Sequence, residues 1–199
     1  MKEKAKKKIV LASNNRKKLS ELQSILSLSY VLQGIGEYES PAETGKTFVE
    51  NAIIKARYVS QISNLPTIAD DSGLEVDYLQ GQPGIYSARF AGADASDADN
   101  NNKLLESLAG VNQKLRAARF QCVIVFLRHA LDPMPLIATG TWEGQILEHP
   151  RGENGFGYDS LFFIPKMNKS SAELEPDEKN KVSHRAQALS KLHSLLSKK

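Results

Sequence analysis

Ile68-Ala69-Asp70-Asp71-Ser72-Gly73-Leu74 is an apolar and small-residue run that meets two adjacent carboxylates, a hydroxyl and a glycine. Such a run reads as a strand delivering acids onto a turn. Two neighbouring carboxylates at a strand end can hold a hard divalent cation or take a proton from water. The same residues also suit an Asx-type turn that closes the strand. Upstream, Thr47-Phe48-Val49-Glu50 has the form of a capping box and predicts a helix to about Ser63, with Ala52, Ala56, Val59 and Ile62 facing inward. Residues Glu37 to Lys46 read as a loop. Before them lie a strand near Tyr30 to Ile35, a helix with the stripe Leu19, Leu22, Ile25 and Leu26, and a strand from Lys8 to Ala12.

Downstream, Gly81-Gln82-Pro83-Gly84 reads as a loop, and the polar stretch Ala91 to Asn102 leads into a helix carrying Leu104, Leu105 and Leu108. Residues 117–128 and 136–147 read as long strands joined through Asp132-Pro133-Met134-Pro135, an antiparallel ribbon by length. A strand at Leu161 to Ile164 and a closing helix from about Ser183, striped by Leu189, Leu192 and Leu196, complete the chain. Strand–helix units come early and a strand ribbon late, which predicts an α/β protein of mixed α+β character.

Composition narrows the function classes. The chain has 199 residues, ordinary hydrophobic and charged fractions of 41% and 25%, and one cysteine, so no disulfide within it can form. Cys122 lies in the apolar run Phe120 to Leu127, which is far shorter than the roughly 18 residues of a membrane span. Residues 1–8 hold five lysines and one glutamate, a net of +4 against +3 for the whole, so the remainder stands at −1. The basic start is followed by only Ile9-Val10-Leu11-Ala12, too short for the h-region of about 7–15 residues in a signal peptide. These features predict a disordered basic tail at 1–7, a single domain over 8–199, a cytoplasmic location and no nucleic-acid-binding face.

Three further stretches carry candidate chemistry. Ser13-Asn14-Asn15-Arg16-Lys17-Lys18, at a strand-to-helix junction, combines free backbone N–H groups with hydroxyl, amide and cationic donors, the elements of an anion site. It lacks the glycines of a P-loop, and lysines on an early helical turn are equally at home in solvent. Gly155-Phe156-Gly157-Tyr158-Asp159 puts two rings on a glycine-flanked loop, suited either to stacking on a planar ligand or to capping a sheet end. In Lys179-Asn180-Lys181-Val182-Ser183-His184-Arg185, Ser183 is the N-cap candidate. His184 and Arg185 then fall in a first helical turn, where a cation opposes the helix dipole and is better motivated as a ligand contact.

Taken in order, Ser13-x-Asn15-x-x-Lys18, Glu43-Thr44-Gly45, Phe48-x-Glu50-Asn51-Ala52, Asp70 to Leu74, Pro83-Gly84-Ile85-Tyr86-Ser87-Ala88-Arg89, Phe156 to Asp159 and Ser183-His184-Arg185 resemble the inosine triphosphate pyrophosphatase family, the dITP/XTP/ITP diphosphatases. The resemblance runs from about residue 8 to residue 197. It implies hydrolysis of dITP, ITP, XTP or dXTP to the monophosphate and pyrophosphate with Mg²⁺. It also implies an elongated mixed sheet with flanking helices, two lobes around a cleft, and a homodimer. By position, Asp71 matches the general base and a metal ligand, and Glu43 the second metal-binding acid. Ser13, Asn14, Asn15, Arg16, Lys17 and Lys18 match the triphosphate loop, Lys55 a cleft cation and Ser72 a substrate contact. Phe156, Gly157, Tyr158, Asp159, Lys179, His184 and Arg185 match the base pocket. Asn14 stands where many members have glycine, and asparagine tolerates positive φ better than most residues; Tyr158 stands where some members have tryptophan.

The residue chemistry agrees. Carboxylates suit the metal and cations suit the phosphates. Lys179 and Arg185 only donate hydrogen bonds, which fits a 6-keto oxygen and leaves buried donors unmatched against the amino group of adenine. Guanine shares the keto oxygen, so this argument separates the substrates from adenine alone. Two other readings remain at this stage: a metal-dependent phosphatase on another nucleotide, and a non-catalytic nucleotide- or nucleic-acid-binding module.

Overall fold

The computed structural model describes residues 7–13, 22–23, 30–36 and 38–197. Its strands are β1 (Lys7–Leu11), β2 (Tyr30–Gly34), β3 (Thr67–Val76), β4 (Ala117–Leu127), β5 (Leu136–Ile146), β6 (Phe162–Ile164) and β7 (Lys169–Ser170). They form one seven-stranded sheet in the order β2-β1-β3-β4-β5-β6-β7. β1 runs parallel to β2 and β3, whereas β6 runs antiparallel to β5 and β7, so the sheet is mixed. The helices named here are α1 (Phe48–Ser63), α2 (Asp97–Ser107), α3 (Pro176–Val182) and α4 (His184–Ser197).

The chain divides into two compact units: Met1–Asp71 with Cys122–Gly140 and Arg185–Lys199, and Ser72–Gln121 with Thr141–His184. In the first unit the two-residue period of a strand sorts side chains onto two faces. Ile9 and Leu11 of β1, Ile68 of β3, and Cys122, Ile124 and Phe126 of β4 share one core with Leu22 and with Ala188, Leu189, Leu192 and Leu196 of α4. The alternate residues Val10, Ala69, Val123, Val125 and Leu127 share the other core with Ala52, Ala56 and Val59 of α1. Burial on both faces explains why these strands read as unbroken apolar runs. Each fully buried Leu or Ile side chain contributes about 1.5–3 kcal/mol.

The second unit has its own core of Leu74, Val76, Phe120, Trp142, Ile146 and Phe162, closed by Leu104 and Leu108. Alternating with these, Asp77, Arg119 and Glu143 carry exposed ion pairs, with Arg119 bonded to both acids. That is the apolar-in, polar-out pattern of a sheet with one wet face.

Several expectations change. The acids do not end β3: the strand continues through Asp70 and Asp71 to Val76, because Leu74 and Val76 are fully buried beyond them. Ile62 is 49% exposed rather than inward. At 3.6 residues per turn it lies about 80° round the helix from Ala52. α2 starts at Asp97, well before its leucines, since Ser96 and Asp99 form a capping box and buried Asn100 bonds to the backbone at Ala88 and Ala91. α3 was not expected; its signal is Glu175-Pro176 with Glu178, a capping box with proline at the helix start. α1 starts at the expected N-cap, Thr47, whose Oγ1 accepts Glu50 N–H, while the Glu50 carboxylate accepts Lys46 N–H and the Thr47 hydroxyl. Of the leucine stripe at 19–26, Leu22 is described and fully buried, and Leu19, Ile25 and Leu26 lie outside the described residues. Of the basic tail expected at 1–7, Lys7 already belongs to β1, where it pairs with Tyr30, and residues 1–6 lie outside the described residues.

Candidate active site

Strand parity decides what the two adjacent carboxylates do. Consecutive residues of β3 point to opposite faces, so Asp70 falls with Ile68 on the α4 side and Asp71 with Ala69 on the α1 side. The acids therefore do not form a single claw, contrary to the reading of a strand-end pair. Asp71 instead meets Lys55 of α1, whose Nζ lies 2.8 Å from Asp71 Oδ1 and 3.0 Å from Glu43 Oε1. Asp71 is buried, and its Oδ2 has no hydrogen-bond partner among the described residues.

Burial raises the Asp71 carboxyl from its ordinary value, and the Lys55 ammonium only partly counters it. Burial also works against the charge on Lys55, but the carboxylates of Asp71, Asp70 and Glu43 outweigh it and hold the ammonium above its ordinary value.

The loop that supplies Glu43 is tied to the first turn of α1. Gly45 N–H donates to Asn51 Oδ1 at 2.9 Å, Lys46 N–H donates to Glu50 Oε2 at 2.8 Å, and Asn51 is fully buried. A Cβ on Gly45 would stand 2.6 Å from Asn51 Oδ1 and from Glu50 Cβ, so only glycine fits there. Sequence reasoning gives Asn51 no role of its own. Its signal is an amide set directly beside the Ala52 stripe of an amphipathic helix.

On the other face of β3, Arg185 Nε lies 3.6 Å from Asp70 Oδ2, and both side chains are almost wholly buried. Ser183 precedes α4 with φ −65° and ψ 159°, the extended backbone of an N-cap position. His184 is buried in an aromatic group of the second unit, its ring stacked 4.8 Å from Phe120 and 6.3 Å from Trp142.

Within the second unit, Asp159 organises the aromatic loop. Its Oδ2 accepts Phe156 N–H at 2.9 Å and Lys179 Nζ at 2.5 Å, while its Oδ1 accepts Ser171 Oγ–H at 2.8 Å. Lys179 Nζ also stands 5.3 Å from the Phe156 ring centre, a cation–π contact. Gly155 has φ +84° and would place a Cβ 2.1 Å from Asp159 Oδ2, so the chain can approach the carboxylate only as glycine. Phe156 is half-buried, whereas Tyr158 is packed in the core with its hydroxyl donating to Ser87 O at 2.8 Å. Burial drives the Tyr158 phenol above its ordinary value. The loop thus divides its two rings, one structural and one accessible. Of the remaining candidates, Ser13 and Ser72 are half-buried, and Asn14, Asn15, Arg16, Lys17 and Lys18 lie outside the described residues.

The chain belongs to the Ham1 family, whose model matches residues 9–195. It is 57% identical over 189 residues to a dITP/XTP pyrophosphatase of Vibrio cholerae serotype O1, covering 94% of each chain. Among solved structures it is similar to a Ham1 protein from Coxiella burnetii, with a TM-score of 0.91 and 47% identity over 96% of this chain and 99% of that one. The Ham1 protein of Staphylococcus aureus aligns with a TM-score of 0.86 and 42% identity, covering 96% and 98%.

Proposed function

We infer that this protein hydrolyses deaminated purine nucleoside triphosphates (dITP, ITP, XTP and dXTP) to the monophosphate and pyrophosphate, clearing them from the nucleotide pool. The observation that carries this reading is 57% identity, across 94% of both chains, to a protein named for that activity.

Asp71 is the general base for the attacking water: burial raises its proton affinity, and its Oδ2 is not engaged by a protein donor among the described residues. Glu43 and Asp71 are the residues that would hold Mg²⁺. Among the described residues no three His, Cys, Asp or Glu side chains group as a self-sufficient metal cage. The two carboxylates fit a hard cation that is commonly held by one or two acids together with substrate phosphates. When bound, the ion would neutralise charge on the phosphates and on the reacting phosphoryl group. Lys55 holds the two acids together and places a fixed positive charge where triphosphate oxygens are handled. Ser13 is assigned to phosphate binding, as are Asn14, Asn15, Arg16, Lys17 and Lys18, and Ser72 to substrate contact.

In the second unit Phe156 is assigned to stacking on the purine, on a loop built from Gly157, Tyr158 and Asp159. Lys179, held by Asp159, is assigned to the 6-keto oxygen, and His184 to the base. By the resemblance, Arg185 of the first unit, paired with Asp70, is likewise assigned to base recognition. The resemblance also supports a homodimer and a cytoplasmic location; among the described residues no helix is long and apolar enough to cross a membrane.

The deciding assay is pyrophosphate release from dITP, XTP, dATP and dGTP with and without Mg²⁺. Metal-dependent pyrophosphate release from dITP and XTP, well above that from dATP, is the expected result. Stepwise release of phosphate would instead define a phosphatase, and binding without turnover a nucleotide-binding module.

A further inference from the structure

Gly157, in the middle of the aromatic loop, adopts φ +61°, and the first turns of α2 hold both of its backbone polar groups. Gly157 N–H donates to Asp97 Oδ2 at 2.7 Å, and Asn101 Nδ2 donates to Gly157 O at 2.8 Å. Asn101 Nδ2 also donates to Asp97 O at 2.7 Å, locking the two clamping residues to each other. All of these residues lie in the second unit.

A loop whose two flanking glycines both have positive φ is conformationally costly to order. Gly155 at φ +84° and Gly157 at φ +61° have access to many states that other residues lack. Asp159 fixes one side of Phe156 through the Phe156 N–H. The other side is fixed from α2 by one carboxylate and one amide.

We propose that Asp97 and Asn101 are positioning residues for nucleobase recognition, which set the Phe156 ring by clamping Gly157 from both sides. The proposal rests on the reading of the Phe156–Asp159 loop as the base-binding loop. Asp97 and Asn101 act through the loop rather than on substrate, so their loss should weaken binding and spare the chemical step.

The test compares Asp97→Ala, Asp97→Asn, Asn101→Ala, Phe156→Ala and Asp99→Ala for pyrophosphate release from ITP. Asp99 belongs to the capping box of the same helix, and its carboxylate accepts from the backbone N–H and the hydroxyl of Ser96, so its variant reports helix destabilisation without touching the loop. Asp97→Ala and Asn101→Ala should each raise KM by roughly tenfold, the loss of about one hydrogen bond to a charged or polar partner, with kcat within about twofold of the parent. Asp97→Asn keeps an oxygen acceptor and should recover most of the affinity. Asp99→Ala should lower Tm while leaving KM unchanged.

Unchanged KM in Asp97→Ala and Asn101→Ala, with a raised KM in Phe156→Ala, would overturn the clamp and leave the base-loop reading standing. Unchanged KM in Phe156→Ala would overturn the base-loop reading and the clamp with it. A raised KM in Asp99→Ala equal to that in Asp97→Ala would also overturn the clamp, since a general effect of α2 would then account for both.

Discussion

Lys55 Nζ sits 2.8 Å from Asp71 Oδ1, an ion pair that joins α1 to β3 where both side chains are largely withdrawn from solvent. Its geometry follows from two periodicities. Asp71 shares a strand face with Ala69, and Lys55 lies one residue before Ala56 in the helix stripe that covers that face. Glu43 then joins the same ammonium from the preceding loop.

Asp71→Asn keeps the shape of the side chain but removes its basicity. Turnover of dITP should fall by about 10²–10⁴, the usual range for loss of a general base, with the far-UV circular dichroism unchanged. Glu43→Gln should reduce turnover comparably while leaving Lys55 paired to Asp71. Parent-like turnover in Asp71→Asn would remove the base from the mechanism.

Asn51 anchors the Glu43 loop through Gly45, so Asn51→Ala should act on the acid it does not touch. Replacing a fully buried amide whose oxygen accepts a backbone N–H should cost about 1–3 kcal/mol of stability. Mn²⁺ binding followed by electron paramagnetic resonance should weaken together with turnover. Gly45→Ala should reproduce the effect, because its Cβ would collide with Asn51 Oδ1. Intact Mn²⁺ affinity in both variants would show that Glu43 holds its place without the Asn51 contact.

Much of this arrangement is legible in the sequence, for identifiable physical reasons. The N-cap at Thr47, the apolar run of β4, the alternating β5 and the leucine stripe of α4 are local signals, and they place elements without tertiary information. The acids at 70 and 71 are also visible, but their separation onto opposite faces is not. It depends on β3 continuing past them, and Ser72-Gly73 looks like a turn until Leu74 and Val76 are known to be buried. Tyr158 illustrates the same limit. A glycine-flanked aromatic looks alike whether its ring is exposed or, as here, its hydroxyl is consumed by Ser87 O at 2.8 Å from another segment. The clamp on Gly157 joins residues 60 positions apart in one of its bonds, a contact no local pattern encodes.

Arg185 carries a prediction about selectivity that has to be separated from stability. Removing its guanidinium leaves Asp70 buried without that cation, a change that costs about 3–5 kcal/mol when one partner of a buried pair is lost. A falling Tm is therefore expected in Arg185→Ala whatever its role toward substrate. The informative quantity is the ratio of kcat/KM for ITP to that for ATP within the same variant, measured below its Tm. If Arg185 reads the 6-keto oxygen, that ratio should fall by roughly tenfold or more, since a hydrogen bond to a charged group contributes about 1.5–3 kcal/mol. An unchanged ratio at reduced Tm would confine Arg185 to pairing with Asp70.

Asp132 provides a pH-dependent test of the β4–β5 connection. Its side chain is 1% exposed; its Oδ2 accepts Arg128 N–H at 3.0 Å and Arg128 Nε–H at 2.8 Å, and its Oδ1 accepts Met134 N–H at 3.0 Å and a further Arg128 N–H. Arg57 of α1 donates to Ala130 O and Asp132 O, fastening the same turn to the first unit. The Arg128 side chain, joined by these backbone donors, holds the Asp132 carboxyl well below the usual carboxylate range. A carboxyl whose folded pKa lies below its unfolded value of about 3.9 stabilises the fold above that pH and loses its contribution as pH falls toward the folded pKa. Asp132→Asn should therefore lower stability near neutral pH by about 2 kcal/mol or more, the scale of charged hydrogen bonds lost in a buried turn. The Tm gap between parent and variant should be widest above about pH 5 and should narrow steadily below about pH 4, as the unfolded chain's Asp132 takes up a proton that the folded one still refuses. Thermal melts across that range decide it, and a gap that stays constant with pH would mean that Asp132 holds the turn by shape rather than by charge.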